Sequence, residues 1–219
     1  EIVETELVLA DLETVQRRLE KVEKKAKSGE KDAIREKGIL DKAMRALETG
    51  RPVRVADISA EEMPVLNGFQ LLTTKPVLYV ANVAESDLPD ADNVSTRALF
   101  NAVKEDAAEL KASKAIVTVC SAFESELSGM DDSDSKLFLE EVGLSETGLN
   151  RLIRGAYELL GLVTFFTTGE NESRAWTVRS GSSAPQAAGT IHSDFERGFI
   201  RAETIHFDAF SSVGSWKSA

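Results

Sequence analysis

The first fifty residues repeat apolar and polar positions with the period of an amphipathic helix. Six apolar side chains recur in steps of four and three residues: Val8, Leu12, Val15, Leu19, Val22 and Ala26. That spacing puts them on one stripe, as in the seam of a coiled coil. Gly29 can take the left-handed conformation that ends a helix. A second apolar face follows at Leu40, Ala43, Met44 and Leu47. The pattern therefore predicts an antiparallel hairpin of two helices.

The middle of the chain changes to short apolar runs separated by a helical segment. Val77–Ala81 and Ala115–Val119 have the length and composition of buried strands. Between them, Thr96–Leu110 carries its apolar residues on one side, as an amphipathic helix does. A strand–helix–strand order predicts a right-handed parallel unit, whose ligands bind beyond the carboxyl ends of the strands.

Two more helices are predicted after this unit, at Ser133–Val142 and Glu146–Leu160. In the second helix, five residues are expected to be buried: Leu149, Leu152, Ile153, Ala156 and Leu160. The pattern then favours a strand hairpin of Val163–Thr168 and Arg174–Val178 with a turn at Gly169–Glu172. Three further elements are expected: a loop at Ser180–Gly189, a short helix at His192–Phe199 and a strand at Glu203–Phe207.

Composition narrows the possible functions. The 219 residues carry a net charge of -11, which repels nucleic acid at long range and leaves RNA contact to a local basic patch. Such a patch crowds the first hairpin: Arg17, Arg18, Lys21, Lys24, Lys25, Lys27, Lys31, Arg35 and Lys37. Because acids are interleaved there, a solvated face is the better interpretation and ribosomal RNA contact the alternative. One cysteine and two histidines are too few for a zinc cluster.

Polar and small residues follow both predicted strands, where an open parallel sheet places its ligand. Asn82 and Glu85 come after the first strand, and Ser121 and Ala122 after the second. An Asn side chain offers a donor and an acceptor to a purine edge, and small residues let backbone N–H groups approach a base. On spacing alone, a turn in which Asn82 caps a loop is the better interpretation. The position after buried strands favours a base site.

Asn82–Glu85 resembles the base-specificity motif Asn-Lys-x-Asp of P-loop GTPases, with Val83 for Lys and Glu85 for Asp. Cys120–Ala122 is similar to their Ser-Ala motif. In this altered form the chain resembles the YchF/Obg-like ATPase family, which prefers ATP to GTP. The resemblance continues through these segments: Leu71–Glu85, Gly148–Arg154, Thr164–Thr167, Arg174–Thr177, Ala184–Gly189, Ile191–Glu196 and Gly198–Ala202.

The resemblance implies a role for each residue of the two motifs. Asn82 is expected to bind the adenine ring edge, and Val83 to offer its main chain to the adenine amino group. Glu85 replaces the Asp that grips guanine and so weakens GTP selection, because an unmet polar group costs about 1–3 kcal/mol. Ser121 and Ala122 are expected to line the base pocket. The resemblance assigns no catalytic residue and no metal ligand to these 219 residues.

The resemblance also implies a fold class. We expect an α/β protein with part of a P-loop NTPase-type parallel sheet, an inserted antiparallel α-helical coiled-coil hairpin, and part of an α+β TGS (β-grasp-like) domain. The expected boundaries are 1–68 for the hairpin, 69–161 for the C-terminal half of the nucleotide-binding domain, and 162–219 for a truncated TGS domain.

The phosphate loop Gly-x-x-x-x-Gly-Lys-Ser/Thr does not occur in the sequence. That loop holds the phosphates and Mg²⁺ in P-loop proteins. We therefore expect an interior piece of a longer protein that binds ATP and Mg²⁺, with the magnesium ligands in a preceding segment. The piece alone is expected not to hydrolyse ATP.

Three functions stay open at this point. The first is a ribosome-associated ATPase in which Asn82, Val83 and Glu85 read the base. The second is a non-catalytic module that binds the large ribosomal subunit or its RNA through the hairpin tip and the TGS surface, with nucleotide as a switch. The third is a helical adaptor without nucleotide. The resemblance implies a cytoplasmic protein that binds neither membrane nor DNA.

Overall fold

The computed structural model describes residues 2–91, 93–110, 116–169 and 172–213. It is a mixed α/β structure with one parallel and one antiparallel pair of strands among these residues. The chain divides into two compact units, Glu1–Leu159 and Leu160–Ala219.

Two long helices, α1 (Ile2–Lys27) and α2 (Lys31–Glu48), open the first unit. Gly29 lies between them with φ +88°, so the left-handed turn expected there is confirmed. The two helices share one apolar core, and their buried seam residues are Val8, Val15, Val22, Leu40, Ala43 and Leu47. The remaining predicted seam residues, Leu12, Leu19, Ala26 and Met44, are partly buried against it. The apolar stripes predicted for the two helices are therefore confirmed.

A buried carboxylate interrupts this apolar seam. Asp11 is 2% exposed, and its two oxygens accept hydrogen bonds from Leu72 N at 2.8 Å, Thr73 N at 2.7 Å and Thr73 Oγ1 at 2.7 Å. Between α2 and this segment lies a short helix, α3 (Met63–Asn67). Asp11 thereby ties α1 to the 3₁₀ turn Leu72–Thr74, which leads into the sheet. The sequence pattern did not predict this contact.

The parallel unit consists of β1 (Tyr79–Asn82), α4 (Val94–Leu110) and β2 (Ile116–Val119). Tyr79 pairs with Ile116 and Asn82 with Val119. The predicted parallel pairing is therefore confirmed, with β1 shifted toward Asn82 and Ala115 lying outside the described residues. The prediction of a buried central strand was wrong for Val80, which is exposed, because β1 has one neighbouring strand in the described part of the chain.

Three helices follow β2: α5 (Ser121–Leu127), α6 (Asp132–Glu141) and α7 (Gly148–Leu159). The first of them, α5, was not predicted from the sequence; its Phe123 is buried and stacks on Phe138 with ring centroids 5.3 Å apart. The two other helices were predicted, with ends shifted by one or two residues.

The predicted burial along α7 was partly wrong. Leu149 is 56% exposed, Ile153 49% and Leu160 54%. The side of α7 that packs closely on the sheet carries glycines, since a Cβ on Gly155 would lie 3.2 Å from a Val117 methyl. With two parallel strands in the described residues, the sheet does not reach the larger apolar side chains.

The second unit begins with an antiparallel hairpin of β3 (Leu162–Thr168) and β4 (Ser173–Arg179). This hairpin was predicted within one residue at each end, although part of the turn lies outside the described residues. Three short helices follow: α8 (Ala184–Ile191), α9 (Ser193–Arg197) and α10 (Phe207–Val213).

Two predictions for this second unit were wrong. The segment expected to be a loop contains α8, because Ser183 and Gln186 form a capping contact in which Ser183 N donates to Gln186 Oε1 at 2.8 Å. The strand expected at Glu203–Phe207 has no partner strand in the part of the chain that the structure describes, and α10 begins at Phe207. The helix expected at His192–Phe199 is confirmed in a shorter form.

Candidate nucleotide-base site

The two parallel strands end side by side. Asn82 is the last residue of β1 and pairs with Val119, the last residue of β2. The ladder extends one residue further, since Val83 N donates to Val119 O at 2.9 Å. Both Val83 and Cys120 are buried, so they anchor the two segments that leave the sheet. The residues predicted to read a base therefore begin at one sheet edge, as the parallel topology requires.

The Asn82 side chain connects these two segments. Its Oδ1 accepts hydrogen bonds from Ser121 N at 3.0 Å and from Ser121 Oγ at 2.9 Å. A backbone N–H can only donate, so the amide oxygen must face Ser121. The amide nitrogen points elsewhere with two N–H donors, and the described residues give it no acceptor. Asn82 is exposed, so these donors are available to a ligand.

The loop after β1 turns back on itself. Ala84 N donates to Asp87 Oδ2 at 3.3 Å and Asp87 N donates to Ala84 O at 3.0 Å, around the 3₁₀ turn Glu85–Asp87. Glu85 opens this turn with an exposed side chain. Asp87 Oδ2 also accepts from Asn93 Nδ2 at 3.0 Å.

Ser121 and Ala122 form the first turn of α5 and are exposed. The same helix carries Glu124, whose carboxylate accepts from Gly148 N at 2.6 Å and Leu149 N at 3.2 Å. These are the first backbone N–H groups of α7, which would otherwise lack partners. The Ser-Ala segment is therefore braced against α7.

A groove of about 640 Å³ borders the end of β1. It is lined by Ala81–Ala84, Asp87, Asn93–Thr96 and Leu99. This volume falls within the range of small-molecule sites, about 300–1,000 Å³. The groove joins the predicted base reader Asn82 to the start of α4.

Known proteins resemble this chain over almost its whole length. A family model named YchF-GTPase_C, described as "Protein of unknown function (DUF933)", matches residues 162–219. "Ribosome-binding ATPase YchF" of Escherichia coli O157:H7 is 46% identical over 210 residues, which are 96% of this chain and 56% of that protein. The protein of the same name from Bacillus subtilis is 43% identical over 219 residues, covering 100% of this chain and 58% of the relative. The chain belongs to the YchF family.

A solved structure of the YchF family supports the fold. The structure of the Schizosaccharomyces pombe YchF GTPase matches with a TM-score of 0.79 and 30% sequence identity. The match covers 99% of this chain and 58% of that one. This YchF chain thus spans between half and two thirds of the length of the relatives it matches. The expected family and the mixed α/β fold with a parallel sheet are confirmed.

In this YchF chain, the structure brings together some of the predicted site residues. Asn82 and Ser121 are hydrogen-bonded, and Val83 lies beside them in the strand ladder. Ala122 follows in the same helical turn, whereas Glu85 is held at its backbone while the described residues give its side chain no hydrogen bond or ion pair. The roles of these five residues stay predictions.

Sequence reasoning missed three residues that hold the site of this YchF chain: Asp87, Asn93 and Glu124. For Asn93 there was a signal, because Asn is a favoured helix cap and Thr96 follows three residues later. Thr96 N and Oγ1 both donate to Asn93 Oδ1, at 2.8 and 3.0 Å. The contact from Glu124 to Gly148 spans 24 residues and had no local signal.

The described residues of this YchF chain contain no group of three or more His, Cys, Asp or Glu arranged to hold a metal ion. In the same described ranges, no helix is long and apolar enough to cross a membrane.

Proposed function

We propose that this chain reads the adenine base of ATP in a ribosome-associated P-loop ATPase. One observation carries the proposal. The Asn82 amide is fixed by two hydrogen bonds from Ser121, at the carboxyl ends of two adjacent parallel strands. Ligands of open parallel sheets bind at that place. The printed names of the bacterial relatives, "Ribosome-binding ATPase YchF", agree with the activity.

The orientation of Asn82 supports a specific contact. Its oxygen is occupied by Ser121, so its Nδ2 group offers only donors. The purine N7 accepts such a bond. Adenine and guanine both carry N7, so Asn82 recognises a purine without selecting between the two bases.

Selection between the bases then belongs to other groups. Adenine presents an amino donor where guanine presents the O6 acceptor. The Val83 carbonyl can accept from that amino group, while its N–H is committed to Val119. Glu85 stands where GTPases of the resembling motif carry Asp, and its longer side chain shifts the carboxylate. The proposal is therefore a preference for ATP, although the related fission yeast structure is named a GTPase.

Hydrolysis requires groups that bind the phosphates and Mg²⁺. These 219 residues contain no phosphate loop, so we propose that the chain supplies the base contacts and that the loop and magnesium ligands belong to another part of the protein. Bound ATP would place its triphosphate beyond the strand ends, and Mg²⁺ would neutralise its charge.

Replacing the base reader tests this function. In the full-length protein, Asn82→Ala is expected to weaken binding of ATP and GTP together by roughly tenfold, since a hydrogen bond and the anchor of Ser121 are both lost. Isothermal titration calorimetry with each nucleotide measures the change. Asn67→Ala is the matched control, because Asn67 is exposed and lies outside the groove. Unchanged ATP affinity in Asn82→Ala would show that the base binds elsewhere.

We propose a second function for the end of the helix pair, residues 24–31: it contacts ribosomal RNA. Lys24, Lys25 and Lys31 are exposed, and the described residues give none of them an ion pair, whereas Lys27 pairs with Glu23 at 3.1 Å. Unpaired lysines release counterions when they meet phosphates, which favours binding despite the overall charge of -11. This proposal is compatible with ATP binding, because the two surfaces use different residues.

Reversing these charges separates the two functions. The triple variant Lys24→Glu, Lys25→Glu, Lys31→Glu is expected to weaken ribosome co-sedimentation and to lower its salt slope by about 2–3, at about 0.9 per phosphate contact. ATP affinity is expected to stay unchanged. Arg45→Glu, Lys75→Glu, Lys136→Glu makes the same charge change at other exposed positions. Equal loss of ribosome binding in both triple variants would argue against a contact at residues 24–31.

A further inference from the structure

The loop that carries the base-reading residues is gathered around one carboxylate, Asp87. Its Oδ2 accepts from Ala84 N at 3.3 Å and from Asn93 Nδ2 at 3.0 Å. Its backbone N–H donates to Ala84 O at 3.0 Å, and its carbonyl accepts from Ala91 N at 2.6 Å. Asp87 is half-buried and lines the groove beside Asn82. The turn after β1 is therefore closed by this one side chain and its own backbone.

These contacts continue into α4. Asn93, which donates to Asp87, accepts from Thr96 N at 2.8 Å and from Thr96 Oγ1 at 3.0 Å. Thr96 is buried. The Asp87 carboxylate is therefore held by a helix start, and through it the turn after β1 is held as well.

One of these contacts determines the direction of a carbonyl group. Ala84 N–H and the Val83 carbonyl belong to the same peptide unit, which is planar, and in a trans peptide the two groups point in opposite directions. When Asp87 accepts from Ala84 N, the Val83 carbonyl is turned away from Asp87. A hydrogen bond from an amide to a carboxylate also polarises the amide and makes its carbonyl a better acceptor.

We infer that Asp87 is a positioning residue that sets the preference for adenine over guanine by aiming the Val83 carbonyl. The inference rests on the proposed base site. A fixed carbonyl accepts from the adenine amino group and repels the guanine O6, since both are acceptors. The Asn82–Ser121 contact does not involve Asp87, so recognition common to both purines is independent of it.

The test compares ATP and GTP affinities in variants of the full-length protein. Asp87→Ala frees the Val83–Ala84 peptide and is expected to weaken ATP binding roughly tenfold, the loss of about one hydrogen bond to a charged group. GTP affinity is expected to change by less than about threefold, so the preference for ATP falls. Asp87→Asn is expected to keep the preference, because an amide oxygen can accept from both Ala84 N and Asn93 Nδ2.

Two more variants complete the set. Asn93→Ala leaves the carboxylate but detaches it from α4, and is expected to lower the ATP preference by about threefold. This variant keeps the inference testable where Asp87→Ala does not fold. Asp90→Ala is the matched control, because Asp90 is exposed on the same loop and the structure gives its side chain no hydrogen bond to a described residue.

The outcomes distinguish this inference from the proposed function. A fall in ATP preference in Asp87→Ala, with Asp87→Asn and Asp90→Ala unchanged, supports the positioning role. If Asn82→Ala loses both nucleotides while Asp87→Ala changes them equally or not at all, the base site stands and the inference on Asp87 is overturned. If Asn82→Ala loses neither nucleotide, the base site itself is wrong, and the inference falls with it.

Discussion

Gly148 shows how closely single residues fit beside the candidate site. A Cβ at this position would lie 2.9 Å from Glu124 Oε1 and 3.1 Å from a Val119 methyl. Gly148 N also donates to the same Glu124 oxygen at 2.6 Å. Glycine therefore lets α7 approach both the last residue of β2 and the helix that carries Ser121 and Ala122. At the residue scale, the absence of a side chain holds these three elements together.

Adding a methyl group at Gly148 tests this fit. Gly148→Ala is expected to lower the free energy of unfolding by about 1–3 kcal/mol, because Glu124 or Val119 must move. Gly38→Ala is the control, since a Cβ on Gly38 in α2 would have no other atom within 4 Å, and it is expected to stabilise by about 0.5–1 kcal/mol. Urea unfolding measures both. Equal effects of one sign would contradict the close packing at Gly148.

At the scale of elements, α6 begins with a charged cap. Asp131 Oδ1 accepts from Ser133 N and Asp134 N, both at 3.0 Å, and from Ser133 Oγ at 2.7 Å. The hydrogen bond from the Asp134 backbone, followed by that from the Ser133 hydroxyl, lowers the pKa of Asp131 below its ordinary value of 3.8. The ionised form is therefore favoured in the folded helix, and the negative charge suits the start of a helix.

The lowered pKa predicts a pH dependence of stability. The contribution of ionised Asp131 is fully present above the unfolded pKa, near 3.8. It is lost as pH falls through the lower folded pKa, because the protonated acid caps the helix less well. Asp131→Asn, which caps without titrating, is expected to flatten the stability profile below pH 3.8. Asp132→Asn is the control in the first turn of α6, and thermal unfolding at several pH values would reveal any equal response of the two variants.

At the scale of the whole molecule, one buried carboxylate connects distant parts of the first unit. Asp11 accepts three hydrogen bonds from Leu72 and Thr73, which follow it by 61 and 62 residues. Thr73 Oγ1 in turn accepts from Val53 N at 2.9 Å. The helix pair and the segment that enters β1 thereby share one polar network inside an apolar core, where unpaired groups are costly.

Removing this carboxylate is expected to destabilise the unit as a whole. Asp11→Ala leaves two backbone N–H groups and a hydroxyl without their acceptor, which costs about 3 kcal/mol or more. Chemical denaturation followed by far-ultraviolet circular dichroism measures the loss. Asp57→Ala, at an exposed aspartate of the same unit, is expected to stay within about 0.5 kcal/mol of the parent. Similar values for both variants would mean that the buried network contributes nothing to stability.

Much of the fold was predictable where the signal is local. The seams of α1 and α2, the parallel strands and the strand hairpin each follow from a period of apolar residues within one segment. The errors fell where that period is short or absent. Ser180–Gly189 looked like a loop from its small residues, yet a capping contact starts α8 there, and α5 is too short at Ser121–Leu127 to show a period.

The candidate site divides in the same way. Asn82 and Ser121 could be proposed from sequence because each follows an apolar strand, and parallel strands bring their ends to one edge. Only the tertiary structure decided that the Asn82 oxygen faces Ser121, and that Asp87 holds the peptide after Val83. By itself the sequence determined the helix seams, the strands and the family likeness, because neighbours along the chain encode them. Contacts such as Asp11 with Thr73 depend on packing between distant segments, which no local pattern records.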